Sequence, residues 1–395
     1  MFHQNAQHTG LSRFQGPTVP ALSWKYQTGG EVLSPPAISR GRIYFGSTDG
    51  NLYALNRQGK LLWTFKTGFP IRTTPAIGED GTTYLGTDAI NALGRLEGIL
   101  FAINPSGTLR WNLTIPNTGE GIESLSSPTI APDGTIYVSD VGFRIIAVNP
   151  DGTIKWEYAT HGEVVAPPAL ATDGTIYVAI DDPDAAGVCT NKCLLALNPD
   201  GTPKWGALFL TPGFSSPAVG PDGTVYIDSW AVNPDGAVRW RNPGKFQSPS
   251  IGGDGTIYGT IEGGLSALNP NGTLEWTFPT EKSGGICTPT GCSYLNVALS
   301  AAAIDSNQVI YFGKAIATIP SGGLGDGTGT LSAVFPDGTL EWSFRIGLGS
   351  GSGICEPGFC GQGLSDPAIG ADGTIYIGST DGNLYAVGDA QNLNL

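Results

Sequence analysis

Residues 127–158 read SPTIAPDGTIYVSDVGFRIIAVNPDGTIKWEY, and every piece of this stretch is a strand or a tight turn. Ser127-Pro128-Thr129-Ile130 is short and apolar, with its proline at the start, where a missing N–H costs least. Asp133-Gly134 is a turn dipeptide whose glycine tolerates positive φ. Thr135-Ile136-Tyr137-Val138 is β-branched and aromatic, which suits a strand. Ile145-Ile146-Ala147-Val148 is a third apolar run, and Asn149-Pro150-Asp151-Gly152 is a second turn. Ile154-Lys155-Trp156-Glu157-Tyr158 alternates apolar and polar, as an outer strand does. The stretch predicts four antiparallel strands, A to D, with charge on strand D guarding the edge against pairing with other chains.

The same frame recurs along the chain, each copy closed by a tryptophan: Trp24, Trp63, Trp111, Trp156, Trp205, Trp240, Trp276 and Trp342, spaced 35 to 66 residues apart. A repeat of this size made only of strands and turns is a propeller blade. Blades 1 to 7 span about 34–67, 74–113, 127–158, 166–207, 216–241, 248–278 and 301–344. The eighth starts at Ser365 and runs through Ala386-Val387 without a tryptophan strand. That strand stands at the other end of the chain, Ala21-Leu22-Ser23-Trp24-Lys25-Tyr26. The sequence therefore predicts an all-β fold: an eight-bladed β-propeller of four-stranded antiparallel blades. An arm over 1–20 precedes it, the propeller occupies 21–388 with 21–27 completing blade 8, and 389–395 is a tail. Each tryptophan should wedge between neighbouring blades. An indole burying about 150–250 Å² at about 25 cal/mol per Å² gives roughly 4–6 kcal/mol as an upper estimate. The ninth, Trp230, is out of frame and replaces the Tyr53 of blade 1, a sheet-packing position.

The continuous repeat argues for one closed ring despite the length of 395 residues. The 59 glycines and 29 prolines sit in register as turn residues and do not signal disorder. No run of 18 apolar residues exists to span a membrane as a helix. A net charge of −14 repels nucleic acid and favours solubility, with cation binding as the other reading. Six cysteines form three close pairs, Cys189/Cys193, Cys287/Cys292 and Cys355/Cys360. Even number and proximity favour local disulfides and an exported protein, extracellular, cell-surface or periplasmic, with cross-links between the last two loops left open. Zinc is the competing reading, against which stand spacings unlike C-x-x-C and no nearby histidine. No secretion leader opens the chain, so an exported protein is expected to have lost one. Asn112-Leu113-Thr114 and Asn271-Gly272-Thr273 match glycosylation acceptors.

The A–B and C–D turns are uniformly short. Long insertions fall between B and C, at 87–98, 181–193 and 314–330, or between D and the next A, at 115–126, 280–300 and 345–364. In an up-and-down blade these two connections emerge on one face, so every insertion and every cysteine decorates one side. That pattern marks a binding face. Residues expected to ring the channel mouth there are Glu31, Phe69, Arg72, Glu123, His161, Glu163, Phe214, Lys245, Phe246 and Asp366, either as a ligand site or as packing and surface. Asp181, Asp182 and Asp184 lie within one loop and are a candidate site for a hard cation such as calcium, a solvated loop being the alternative. No Ser/His/Asp triad can be assembled from the three histidines, so no catalytic residue is named.

The recurring Asp-Gly-Thr-Ile-Tyr-Val-Gly-Ser and Leu-Tyr-Ala-Leu-Asn-Pro-Asp-Gly-Thr-Leu-x-Trp pattern resembles the PQQ-like repeat of quinoprotein β-propellers, from about 21 to 388. The start, residues 1–10, also resembles the lead-in of exported members, which makes His3 and His8 part of an arm and not metal ligands. The resemblance implies eight blades locked by tryptophan docking. The family holds PQQ- and calcium-dependent alcohol dehydrogenases and non-enzymatic scaffolds such as the outer-membrane assembly lipoprotein BamB. The dehydrogenases use adjacent cysteines over the cofactor, and this chain has no Cys-Cys dipeptide. BamB-like lipoproteins need an N-terminal lipidated cysteine, whereas the first here is Cys189. The expectation is a binding propeller with no cofactor, recognising a protein, peptide or glycan on the elaborated face. The alternative is a quinoprotein oxidoreductase with PQQ and calcium.

Overall fold

The computed structural model describes residues 5–90, 96–115, 125–140, 143–160, 162–164, 166–182, 191–210, 215–244, 246–261, 264–280, 284–288, 291–320, 326–348 and 363–392. The quoted unit forms Thr129–Ile130, Ile136–Asp140, Arg144–Val148 and Ile154–Ala159, hydrogen-bonded in that order. Eight such sheets follow one another along the chain. The last consists of Ala368–Ile369, Ile375–Gly378 and Asn383–Asp389, completed by Pro20–Gln27 from the start of the chain. The two termini are thus paired in one blade, with Trp24 opposite Ala386.

Blades 4 and 7 carry strands beyond the usual four. Their B strands are long, Ile176–Asp182 and Ile310–Pro320, so their inner edges outrun the short A strands. Backbone groups exposed on such an edge need partners. Glu163–Val164 supplies them in blade 4. In blade 7 the hairpin of Gly284–Thr288 and Gly291–Leu299, part of the insertion before that blade, supplies them. Both extra pieces are D–A connections pairing with B–C extensions, which puts the two kinds of insertion on one side of the ring.

One cross-strand row explains the blade interior. Tyr137, Ala147 and Trp156 lie opposite one another on strands B, C and D. Alanine is small enough for the tyrosine and indole rings to meet over it, with centroids 5.8 Å apart and planes at 45°. The row recurs in every blade, and all eight central alanines, from Ala54 to Ala386, are fully buried. A bulge beside each indole adds local twist.

The indole then reaches the neighbour. Trp156 Nε1 donates to the Pro199 carbonyl in the C–D turn of blade 4, at 2.9 Å. Gly201 of that turn has φ +86, and a Cβ there would meet the indole at 2.7 Å, so glycine is required twice over. The link repeats from Trp63 to Pro105, Trp111 to Pro150, Trp205 to Pro234, Trp240 to Pro270 and Trp276 to Pro336. In blade 1 the acceptor is Arg57, reached by Trp24. Blade 8 has no covalent C–D turn, and Trp342 donates to Pro17 on the arm instead, at 2.8 Å. Between every pair of neighbouring sheets lies one apolar cluster, for example Ile145, Val164, Ile176 and Leu195 between blades 3 and 4. Seven of the eight framed indoles are only half-buried and Trp342 is buried, which lowers the wedge energy below the full-burial figure.

Trp156→Ala should therefore cost about 2–4 kcal/mol, the lower part of the range for large-to-small truncation. Ala147→Leu, which drives the rings apart without deleting them, should cost about 1–3 kcal/mol. Denaturant midpoints of the two variants check both figures.

Candidate functional sites on the two faces

On the face of the long connections, Arg72 and Glu163 are exposed, and Glu31 and Phe69 are half-buried. Glu31 also stitches two blades, since its amide donates to Thr48 Oγ1 and its carbonyl accepts the Thr48 amide. Asp366 is 9% exposed and accepts the Ala301 amide at 2.8 Å, tying blade 8 to blade 7. Phe246 is buried within the cluster between blades 5 and 6, its ring filling the space over Gly259. Glu123, His161, Phe214 and Lys245 lie outside the described residues. Asp181 and Asp182 end the B strand of blade 4, opposite Lys192 and Asn191. Asp184 lies outside the described residues, among which no three His, Cys, Asp or Glu side chains could hold a metal. Cys193 is buried and disulfide-bonded. Cys287 and Cys292 are register partners across their hairpin. Cys189, Cys355 and Cys360 lie outside the described residues. Trp230 is half-buried against the cluster between blades 4 and 5, with the Arg241 guanidinium 5.0 Å from its ring centroid. Glycosylation-type Asn112 stands within a D strand and Asn271 in a C–D turn.

This face also holds an ion pair absent from the sequence reading. Asp140, 1% exposed, accepts the Arg144 amide at 2.8 Å and its guanidinium at 2.9 and 2.6 Å. Burial pushes the Asp140 carboxyl up, against the opposing pull of Arg144. The signal was an Asp and an Arg four residues apart across a B–C turn.

The other face is built from the A–B and C–D turns. In blades 2 to 5 the turn aspartate pairs with the cation just before the tryptophan. These pairs are Asp80–Arg110, Asp133–Lys155, Asp173–Lys204 and Asp222–Arg239, at 2.7, 3.2, 2.8 and 2.7 Å. Each cation also binds the threonine two residues after its aspartate. The motif was visible as Asp-Gly-Thr followed by Lys or Arg before Trp, but turn chemistry alone does not reveal the pairing.

Across this face runs the N-terminal arm. The amides of Leu170, Val219, Ile251 and Ile304, at one equivalent position on the innermost strands of blades 4 to 7, donate to the carbonyls of Ala6, Gln7, Thr9 and Gly10. His8 is fully buried, with Nδ1 3.2 Å from the Pro217 carbonyl and Nε2 3.4 Å from Thr129 Oγ1. His8 is thus a strut of the arm. Beyond Leu11 the arm turns outward. The Gly16 amide donates to fully buried Asp305 at 2.9 Å, and Pro17 receives Trp342. Two hollows flank the arm: about 850 Å³ beside Asn5–Gln7 and the turns of blades 2 to 4, and about 590 Å³ beside Leu11–Phe14 between blades 8 and 1.

An eight-bladed ring of tryptophan-closed sheets with an internal strap defines the class, and known proteins supply its relatives. Residues 20–131 and 97–206 match the family described as outer membrane protein assembly factor BamB. Together these matches cover residues 20–206, and the later blades carry the same Asp-Gly-Thr and tryptophan motif. The chain is similar in fold to BamB from Moraxella catarrhalis, with TM-score 0.63 and 16% identity over 94% of this chain and 100% of that one. It is similar to quinohemoprotein alcohol dehydrogenase ADHIIG from Pseudomonas putida HK5, with TM-score 0.63 and 12% identity over 98% of this chain and 79% of that one. The WD40 propeller domain of Doa1 follows, with TM-score 0.54 and 11% identity over 96% and 99%. No curated protein sequence matches the chain. No helix among the described residues is long and apolar enough to cross a membrane.

Burial alone would raise the Asp173 carboxyl, but hydrogen bonds from Lys204 and Thr175 and the charge of Lys204 outweigh it and hold the group at about 2. A carboxylate depressed below its unfolded value of about 3.9 stabilises the fold above that value and stops doing so as pH falls through its folded value. Because the Asp173 side chain is 55% exposed, solvent screens the pair and its worth is about 0.2–1 kcal/mol. Lys204→Met should lower the urea midpoint at pH 6, and the gap from wild type should close between about pH 4 and 2.

Proposed function

We propose that the chain is an exported, non-enzymatic binding propeller that recognises a protein, peptide or glycan on the face of its long B–C and D–A connections. The observation that carries this reading is the one-sided growth of strand: the hairpins of Thr83–Ile90 with Leu96–Ile103, Ile176–Asp182 with Asn191–Leu197, and Ile310–Pro320 with Asp326–Val334 all extend toward that side. Added hairpins of this kind build recognition surface on a rigid frame. The family likeness to BamB, an assembly factor of the outer membrane, favours a protein partner and an envelope setting. The acid charge of −14 disfavours nucleic acid. Arg72 and Glu163, exposed on that side, offer one charge of each sign to a polar partner.

The second reading is a PQQ- and calcium-dependent oxidoreductase, favoured by the fold shared with the quinohemoprotein alcohol dehydrogenase. Among the described residues no carboxylate set converges as calcium requires, so no chemical step is assigned to either group.

Purified protein mixed with PQQ and calcium should emerge from gel filtration without the cofactor's absorbance and without dye-linked alcohol oxidation. A stoichiometric chromophore with that activity overturns the reading. A photo-cross-linker at Arg72 or Glu163 should trap a partner in an envelope extract of the source cells. Trapping only from position 155, on the opposite face, also overturns it.

A further inference from the structure

The inner edge of the ring is used on one side and open on the other. The ladder register turns the amides of Leu170, Val219, Ile251 and Ile304 away from their own B strands and toward the channel, where the arm caps them. Ile38 and Ile369 occupy the same register position in blades 1 and 8. Among the described residues no backbone carbonyl caps either amide. The arm has already left the channel there: the Gln15 carbonyl lies over Gly373, in the A–B turn of blade 8. The hollow of about 590 Å³ is the arc it vacates, and Ile38 and Ile369 line it.

The charge of this hollow runs against that of the protein. Arg13, Arg40 and Arg57 all line it and all are exposed. On the same face, blades 2 to 5 tie each strand-D cation to a turn aspartate, whereas these three guanidiniums have no carboxylate partner among the described residues. Arg40 reaches only the carbonyl of Glu79, and Arg13 lies 5.0 Å from the Phe14 ring centroid. The carboxylate in the hollow, Asp372, is bonded to the Thr374 amide at 3.2 Å. Three cations against one anion leave an excess of positive charge in a chain of net −14. At physiological salt the net charge is screened beyond about 8 Å, so at contact distance the local guanidiniums decide the sign.

We infer that this hollow binds an acidic peptide segment in extended conformation. Its carbonyls would accept the Ile38 and Ile369 amides, and its alternate carboxylates would meet Arg13, Arg40 and Arg57. The arm is the precedent, being an extended chain held by the same amide position in four other blades. Edge addition supplies affinity through the main chain, and side chains at every second position supply the specificity. Guanidinium forks suit carboxylates in two-point contact. The site lies opposite the face assigned above and does not depend on that assignment.

The probe is a fluorescein-labelled Glu-Val-Glu-Val-Glu-Val peptide, with Lys-Val-Lys-Val-Lys-Val as control. The acidic peptide should bind by fluorescence anisotropy and the basic one should not. The Arg40→Gln/Arg57→Gln double variant should weaken binding at least tenfold. In wild-type protein, saturating acidic peptide should slow amide hydrogen exchange over 36–41 and 368–372. Absence of binding, equal binding of both peptides, unchanged affinity in the double variant, or binding without slowed exchange in those segments each overturns the inference. The exchange measurement uses wild-type protein and stands even if the variant is less stable.

Discussion

An indole N–H donated to a turn carbonyl one sheet away is the contact on which this ring depends. Sheets in a propeller share no backbone ladder, so something directional must fix the angle between them. Here the bond from Trp156 to Pro199 does so, with the ring pressed against Gly201. Each participant is constrained in turn. The acceptor residue is proline in six blades, with fixed φ and no N–H to satisfy. The third residue of the turn must be glycine, and the residue opposite the indole must be alanine so that tyrosine can support it from below. Tyr-Ala-Trp inside one blade and Pro-x-Gly in the next are two halves of one joint. The joint needs every blade to present both halves. At the seam, where blade 8 has no continuous C–D turn, the arm supplies the missing half through Pro17.

This logic sets what could be read from the sequence. The tryptophans, the Asp-Gly turns and the displaced strand of residues 21–26 are legible because each is a specific residue type at a fixed period. The central alanines are equally periodic but look like ordinary small core residues until the register sets Ala147 between Tyr137 and Trp156. The Asp173–Lys204 type of pair spans 31 residues, and only the fold brings its ends together. The course of the arm was not legible at all. Its carbonyls bind the inner strands, and every residue has a carbonyl. Phe246 was assigned by loop position, yet Gly259 leaves room beside it and the ring fills that room. The strands added to blade 7 were hidden for a related reason. Residues 284–299 pair through backbone to an edge that exists only because the B strand grew long.

The contrast between the faces follows from the same constraint. A C–D turn that must offer one carbonyl to an indole, and one glycine face to its ring, has no freedom in length. An A–B turn whose aspartate is bonded to a cation on strand D, or whose neighbouring amide is capped by the arm, has little more. The B–C and D–A connections carry neither duty. Length can therefore be added only on their side, and there it accumulates in blades 2, 4 and 7. One-sided elaboration is first a mechanical consequence of the joint, and recognition uses the freedom that the joint leaves.

On the constrained face, a new property can arise only by exchanging side chains within fixed turns. Blade 1 does this. Its C–D turn has Arg57 where six other blades have proline, while the carbonyl of that residue still receives an indole. Its A–B hairpin is cut to Arg40-Gly41, with φ of +51 and +73, which removes the turn aspartate and puts a guanidinium at the tip. Its strand D has Leu62 where blades 2 to 5 have lysine or arginine, so no salt bridge forms to replace the lost pair. The outcome is a blade whose joint is intact and whose cations are unspent. It stands beside the point where the arm leaves the channel, so open main-chain donors and unpaired guanidiniums occur together at one place in the ring.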